Sequence, residues 1–396
     1  MLLLLVPVGL ATVVGLVVLW PGDEPTRAEQ AAELYLPPGT TYHEGRVASV
    51  DPGDCLPPGG GEPSQQLTCQ AAVVVEVLDG PEAGEFQQVP IAADVYTSGV
   101  EVGEVLVLTR DGAAESAGRY AFSDYDRDVP IVALTLAFAV VTVAVARLRG
   151  LAALVGLAFA FFVMLQFLLP GLLGDSSPTL VSLVGSAAIM FVVLYLAHGF
   201  SARTTTALVG TLFGLALVAV LGAVAVATAR LTGLTSEETG TLNQFDPAID
   251  FSGLVLAGVV IAGLGVLNDV TITQASAIWQ LHEVDPGMTW RELYRRGMVV
   301  GRDHIASTVY TIVFAYAGAS LPLLMLFEVY AQPWDVIVTS SALAEEVIRT
   351  LVGSIALVLA VPVTTAAGAF FAKAAGTAAG TATERRVAAL RTRFAR

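Results

Sequence analysis

The chain has 396 residues, 55% of them hydrophobic and only 14% charged, with a mean hydropathy of +0.71. Soluble domains carry about 25% charged residues, so a water-soluble globular protein is excluded and a polytopic membrane protein is expected. The net charge of −15 is local: Gly22 to Asp128 holds 20 acidic residues and 5 arginines, while the remainder balances at 15 of each sign. So acidic a polar segment argues against nucleic acid as a partner.

The first apolar run is Leu2 to Trp20. No basic flank precedes it and no small-residue cleavage site follows before Pro21, which reads as a transmembrane signal anchor over 1–21, a cleaved signal peptide being the lesser option. Residues 22–128 are rich in Gly and Pro, with short β-branched stretches such as "AAVVVEVLDG" and "VEVGEVLVLT". These predict a small antiparallel, barrel-like β domain, with a hairpin around Gly80–Gly84.

Seven further apolar runs follow, near Pro130–Val145, Leu151–Leu169, Thr179–Ala197, Thr205–Ala229, Phe251–Val270, Ile305–Phe327 and Ile348–Ala372. With the anchor they make about eight transmembrane helices, seven of them in a block over 129–373, before a basic tail at 374–396. Threading the chain with the β domain outside leaves thirteen basic residues in the inner loops and tail, among them Arg147, Arg149, Arg203 and Arg302. Only Arg230 and Arg349 fall outside, apart from the β domain. That is the positive-inside pattern, with both termini cytoplasmic. Basic residues are arginine except for Lys373, and with abundant Ala, Gly and Val this suggests a bacterial coding bias and the bacterial plasma membrane.

Cys55 and Cys69 both lie in the outer segment. An oxidising compartment favours a disulfide between them, with two free thiols as the alternative; zinc sites usually take four ligands, so no metal is expected.

Polar residues gather at three places on the inner side. In "GVLNDVTITQASA", Asn268 and Asp269 end an apolar run, about 27 Å along the helix from Phe251 and near the boundary of a core ~30 Å thick. Asp269, Thr273, Ser276 and Gln280 share one helical face, and Gln274 lies beside them. "HGFSARTTTALVGT" brings His198 and Arg203 into a short turn. In "GRDHIASTVYT", Arg302 precedes Asp303, which is placed to cap a helix start, and His304, Thr308 and Thr311 share a face. Upstream, Thr289 and Glu292 make a capping box for a short helix in the headgroup plane, carrying Trp290 and Tyr294.

Together these three stretches resemble the YibE/F-like family of bacterial integral membrane proteins. The order of anchor, outer β domain ending in "DYDRDVP" (Asp124 to Pro130) and seven-span block resembles it as well. The resemblance implies this topology and a permease-like character; it carries no substrate and no catalytic residues.

Asn268, Asp269, Thr273, Gln274, Arg302, Asp303, His304, Thr308, His198 and Arg203 are the candidate ion- or solute-binding residues. Asp269 reads either as a proton- or ion-binding carboxylate or as a structural partner of Arg302 or His304. The arginines suit an anionic solute or act as lipid anchors, and the histidines shuttle protons or bond backbone. Gln166 reads as interhelical glue. Gly210, Gly214 and Gly222, and Ala315 to Ser320, read as close-packing faces, and Pro322 and Pro362 as kinks. No H-E-x-x-H, G-x-S-x-G or P-loop occurs, so no enzyme and no cofactor is expected. The leading expectation is a permease or secondary transporter whose partners are the bilayer and a small ion or solute. The alternative is a scaffold or sensor whose β domain binds a ligand or protein, with homo-oligomerisation open.

Overall fold

The computed structural model describes residues 2–22, 24–35, 39–55, 69–112, 119–330 and 333–375. Contacts divide it into two compact units, Glu29–Val141 and Met1–Ala28 with Thr142–Arg396.

The smaller unit is a curled five-stranded sheet. Its strands are β1 (Thr41–Asp51), β2 (Ala71–Val77), β3 (Phe86–Ile91), β4 (Val105–Arg110) and β5 (Tyr120–Tyr125), in the order β3-β2-β1-β4-β5. All four pairings are antiparallel, and the edge strands β3 and β5 approach each other as the sheet curls. Alternation explains the core. Every second residue of β2 is buried, so Val73, Val75 and Val77 meet Val47, Val89, Leu106 and Leu108 inside. A register shift between Val47 and Ser49 bulges β1, and such a bulge bends a strand. Gly45 removes a side chain that would otherwise strike Leu108 and Val75. The hairpin expected at Gly80–Gly84 joins β2 to β3, both glycines having positive φ. A disulfide joins Cys55 and Cys69, with Cα atoms 5.0 Å apart.

From that hairpin Glu82 reaches across the sheet. It accepts hydrogen bonds from Arg110 Nε and Nη2 (2.8 and 2.7 Å), Arg119 Nη1 (2.7 Å) and Tyr120 Oη (2.8 Å). The Arg110 guanidinium, with help from Tyr120 and Arg119, holds the Glu82 carboxyl down at about 2. Burial first, and then the carboxylate it faces, push the Tyr120 phenol up to about 12.

The larger unit is helical: α1 (Leu2–Val18), α4 (Asp128–Val163, continuing through a π turn to Leu173), α5 (Pro178–His198), α6 (Ala202–Ala229), α7 (Glu237–Phe245), α8 (Phe251–Val284), α9 (Trp290–Ala319), α10 (Leu321–Val329), α11 (Trp334–Val338) and α12 (Ser341–Ala375). The start of α4, to Val141, belongs to the sheet unit; the short helices α2 (Arg27–Tyr35) and α3 (Ala93–Thr97) complete the set. Among the described residues five helices are long and apolar enough to cross a membrane, six if the pair α9–α10, bent by 63°, is one span. Helices α6, α8 and α12 pack on one another as a central trio; α5 lies against α6 and α8, α9 against α8 and α12, and α1 against α5.

One local expectation is met and two change. First, the break expected between the runs Pro130–Val145 and Leu151–Leu169 is present within the helical stretch Asp128–Leu173. It is broken at Arg147, whose φ of 54° and ψ of −132° are non-helical. A Cβ added at Gly150 would strike the Thr142 carbonyl oxygen, although eight residues span about 12 Å along a straight helix. The backbone therefore doubles back at Arg147. Second, Trp290 to Met298 is not a separate helix: α9 runs unbroken from its Thr289 cap, because nothing between Met298 and Arg302 stops a helix, and Asp303 lies mid-helix. The Glu292 carboxylate accepts from Arg296 Nη2 at 2.7 Å and does not complete a capping box. Third, Pro362 lies inside continuous α12, whereas the break before Pro322 is real.

Because the Glu82 carboxyl titrates lower in the folded state than its ordinary 4.5, its stabilisation is complete above about 4.5 and is lost as pH falls towards about 2. Glu82→Gln should speed amide hydrogen exchange in β4 and β5 of the full-length protein at neutral pH, once corrected for intrinsic rates. The same variant should flatten the acid dependence of exchange between those pH values. Unchanged protection would show that the clamp does not hold the sheet.

Candidate functional site

Helix α8 presents two polar faces. On its inner face Gln274 is 2% exposed. Its Nε2 donates to Gly297 O of α9 (2.9 Å) and to Thr365 Oγ1 of α12 (2.7 Å). One turn earlier, Thr271 Oγ1 lies 2.7 Å from Thr211 Oγ1 of α6. Thr204, Thr206, Thr364 and Thr365 are also fully buried, and Thr206, Thr364 and Thr365 each bond a carbonyl four residues back in their own helix. The result is a hydroxyl-and-amide seam through the central trio.

Close approach makes the seam possible. Added Cβ atoms at Gly210, Gly297 and Gly301 would meet Thr364, Ile278 and Val361, respectively. Gly210 and Gly214, in "GTLFG", and Gly297 and Gly301, in "GMVVG", have the spacing that lets helices touch backbone to backbone. By contrast Gly318, within the expected small-residue face Ala315 to Ser320, has open space beside it.

The outer face of α8 carries Asp269, 70% exposed in its side chain. Thr273 is exposed too, its hydroxyl bonded to Asp269 O at 2.8 Å. Five positions of a helix turn through about 140°, so Gln274 does not share the Asp269 site. Across from Asp269 stands His304 of α9, with Nε2 4.0 Å from Asp269 Oδ2. That is ion-pair range and too long for a hydrogen bond. His304 Nε2 and Asn268 Oδ1 are both buried without a hydrogen-bond partner among the described residues. Gly265, one turn before Asp269, has nothing beside it within 4 Å, leaving that face of α8 bare. Thr308 Oγ1 donates to His304 O at 2.9 Å.

The other candidates stand apart. Arg302 and Asp303 are exposed and form no ion pair among the described residues, so of the two structural partners weighed for Asp269 only His304 is in reach. His198 and Arg203 flank the turn between α5 and α6, where Ser201 Oγ caps α6 through Thr204 N at 3.1 Å. No described hydrogen bond or ion pair joins them to Asp269 or His304. Gln166 sits in the π turn with an exposed side chain and is not glue within the chain. Thr364 and Thr365 were missed because a lone "TT" in a long apolar run reads as ordinary span; the "GMVVG" spacing was the available signal for the α9 contact. Among the described residues no cluster of three or more His, Cys, Asp or Glu could hold a metal.

Long apolar helices packed through glycine and a sealed polar seam define an integral membrane protein. The family model for YibE/F-like protein matches residues 134–374, more than half of the 396-residue chain, and the chain belongs to that family. No curated protein and no solved structure matches.

The two faces of α8 should respond differently to substitution. Gln274→Leu, which leaves its partners unbonded inside the bundle, should cost about 1–2 kcal/mol and lower the thermal midpoint in detergent. Thr273→Val on the exposed face should leave that midpoint nearly unchanged. Equal effects from both would overturn the assignment of faces.

Proposed function

We propose that the protein is a permease or secondary transporter whose polar site lies at the α8–α9 contact. One observation carries the reading. A membrane-helix carboxylate, Asp269, lies 4.0 Å from a histidine Nε2 that, like Asn268 Oδ1, is buried and unbonded among the described residues, beside a bare stretch of helix. Ionisable groups in membrane helices are costly and characteristically mark ion or substrate paths. A carboxylate beside an imidazole, two groups that can each bind a proton, suits passage of a proton or small cation. Arg302 and Arg203 are not required by this site and fit lipid phosphates. No catalytic role is proposed.

The topology that goes with this reading has eight spans. The reversal at Arg147 divides Asp128–Leu173 into two crossings, α9–α10 make one, and α1 makes the first. The leg from Asp128 to Leu148 is apolar and exposed almost throughout, as a helix solvated by lipid would be. Arginine placement supports a reading with the curled sheet outside a bacterial plasma membrane, both termini in the cytoplasm, and the Asp269–His304 pair near the inner face. The sheet's strand order, with a short helix between β3 and β4, suits a small five-stranded Greek-key barrel.

Purified protein in liposomes, loaded with proton- and cation-sensitive dyes, tests the reading. Flux should follow an imposed gradient, and Asp269→Asn should cut it about tenfold or more while leaving the thermal midpoint unchanged. No flux above that of empty vesicles under any proton, sodium or potassium gradient would sink it.

A further inference from the structure

The first part of α9, Trp290 to Arg302, carries four arginines, and they do not share one role. Arg296 is neutralised by Glu292, with Nη2 2.7 Å from Oε1. Arg291, Arg295 and Arg302 are exposed and have no hydrogen bond or ion pair among the described residues. Their spacing of i, i+4 and i+11 puts the three within about 40° of one another around the helix, so they form one stripe. The acids of this segment lie off it. Glu292 and Asp303 each follow a stripe residue by one position, about 100° further round. His304, two positions beyond Arg302, is turned to the other side, so the stripe is separate from the Asp269–His304 contact.

Beyond Arg302 the same stripe turns apolar. Its next positions are Ala306, Val309 and Val313. Val313 lines a groove between α9 and α12 with Ala317, Leu343, Val347 and Leu351, and the one carboxylate there, Glu346, is held by Arg349. From Arg302 to Val313 is about 17 Å of helix, close to the ~15 Å that one leaflet contributes to the hydrocarbon core. At the other end Trp290, 41% exposed, stacks on Tyr294 with ring centroids 5.7 Å apart. Such rings collect where membrane meets water. Other charges near the start of α9 are engaged or acidic. Lys373 donates to Pro286 O at 2.9 Å, Asp285 Oδ1 accepts from the Gly287 N–H at 3.0 Å, and Glu283 is exposed at the end of α8.

We propose that this flank of α9 is a docking surface for an anionic phospholipid. Arg291, Arg295 and Arg302 take the phosphate oxygens, and an acyl chain lies along Ala306, Val309 and Val313 towards the groove. The match is one of charge and of shape. A guanidinium fork pairs two N–H groups with two phosphate oxygens. Three unpaired forks on one stripe favour a headgroup of net negative charge over a zwitterionic one, whose amine they repel. Arg302 lies deepest, and its long side chain reaches back to the headgroups while its methylenes stay in hydrocarbon. Free phosphate offers the same oxygens but nothing for the apolar half of the stripe, and an acidic protein segment would leave that half uncovered. Positive charge beside a membrane is common; the aligned stripe adds a choice between headgroups. Neither the transport reading nor the side on which α9 begins enters the proposal.

Native mass spectrometry tests this on the full-length protein, released from micelles that hold equal amounts of phosphatidylglycerol and phosphatidylcholine. Phosphatidylglycerol should be the lipid retained. Each of Arg291→Gln, Arg295→Gln and Arg302→Gln should cut that preference about fivefold. The double substitution Glu292→Gln with Arg296→Gln, which removes an ion pair off the stripe, should leave it nearly unchanged. These variants alter solvent-facing side chains, and their thermal midpoints check folding. Inorganic phosphate in tenfold excess should not displace the lipid. Equal retention of the two lipids would overturn the proposal, as would a loss from the double variant equal to that from Arg302→Gln. Displacement by inorganic phosphate would make the stripe a site for a free anion, and a second copy of the chain retained in place of lipid would make it a dimer contact; either result sinks the lipid reading. No flux is measured, so the outcome is independent of transport.

Discussion

One amide nitrogen holds the bundle in register. Both hydrogens of Gln274 Nε2 are used, one on a backbone carbonyl of α9 and one on a hydroxyl of α12, so a single side chain on α8 fixes two neighbours. Lipid supplies little hydrophobic drive between helices, leaving packing and interhelical hydrogen bonds to do the work. Glycine at 297 and 301 brings the α9 backbone close enough for that bond. Much else follows from this contact. It sets how α9 lies against α8, and so where His304 stands relative to Asp269.

The same geometry separates structural polarity from available polarity. Inside the trio, Ser354 Oγ of α12 is buried without a partner, but the Gln274 amide and the Thr206, Thr211, Thr271, Thr364 and Thr365 hydroxyls are bonded to one another or to their own helices. At the edges they are not: Asn268 Oδ1 and His304 Nε2 near one end of α8, and Glu345 Oε1 and Arg349 Nε towards the opposite end of α12, lack partners. Between them lies apolar packing from Val270, Ile312, Leu357 and Val361. A buried unbonded polar atom is costly.

Much of this was legible in the residues. Apolar run length gave the helices, strand alternation and "DGPEAGE" gave the hairpin, and "LNDV" with "GRDHIAST" gave the family and brought Asp269 and His304 together as candidates. What was not legible was rotational. The sequence placed Gln274 with Asp269 because they are close in number, but only the packing partners of α8 decide which side is inside. Asp303 looked like a cap because a polar residue before an apolar run often is one; the glycine-packed segment upstream keeps the helix going.

The Glu82 clamp has an electrostatic consequence for the segment that contains it. That segment, Gly22 to Asp128, carries a formal −15, and most of its acids are exposed side chains that repel one another. The doubly arginine-bound carboxylate differs from them, since its guanidinium partners hold it down at about 2. Two of the segment's five arginines are thus drawn onto one of its twenty acids, and the clamp carries a local excess of positive charge within an otherwise negative segment.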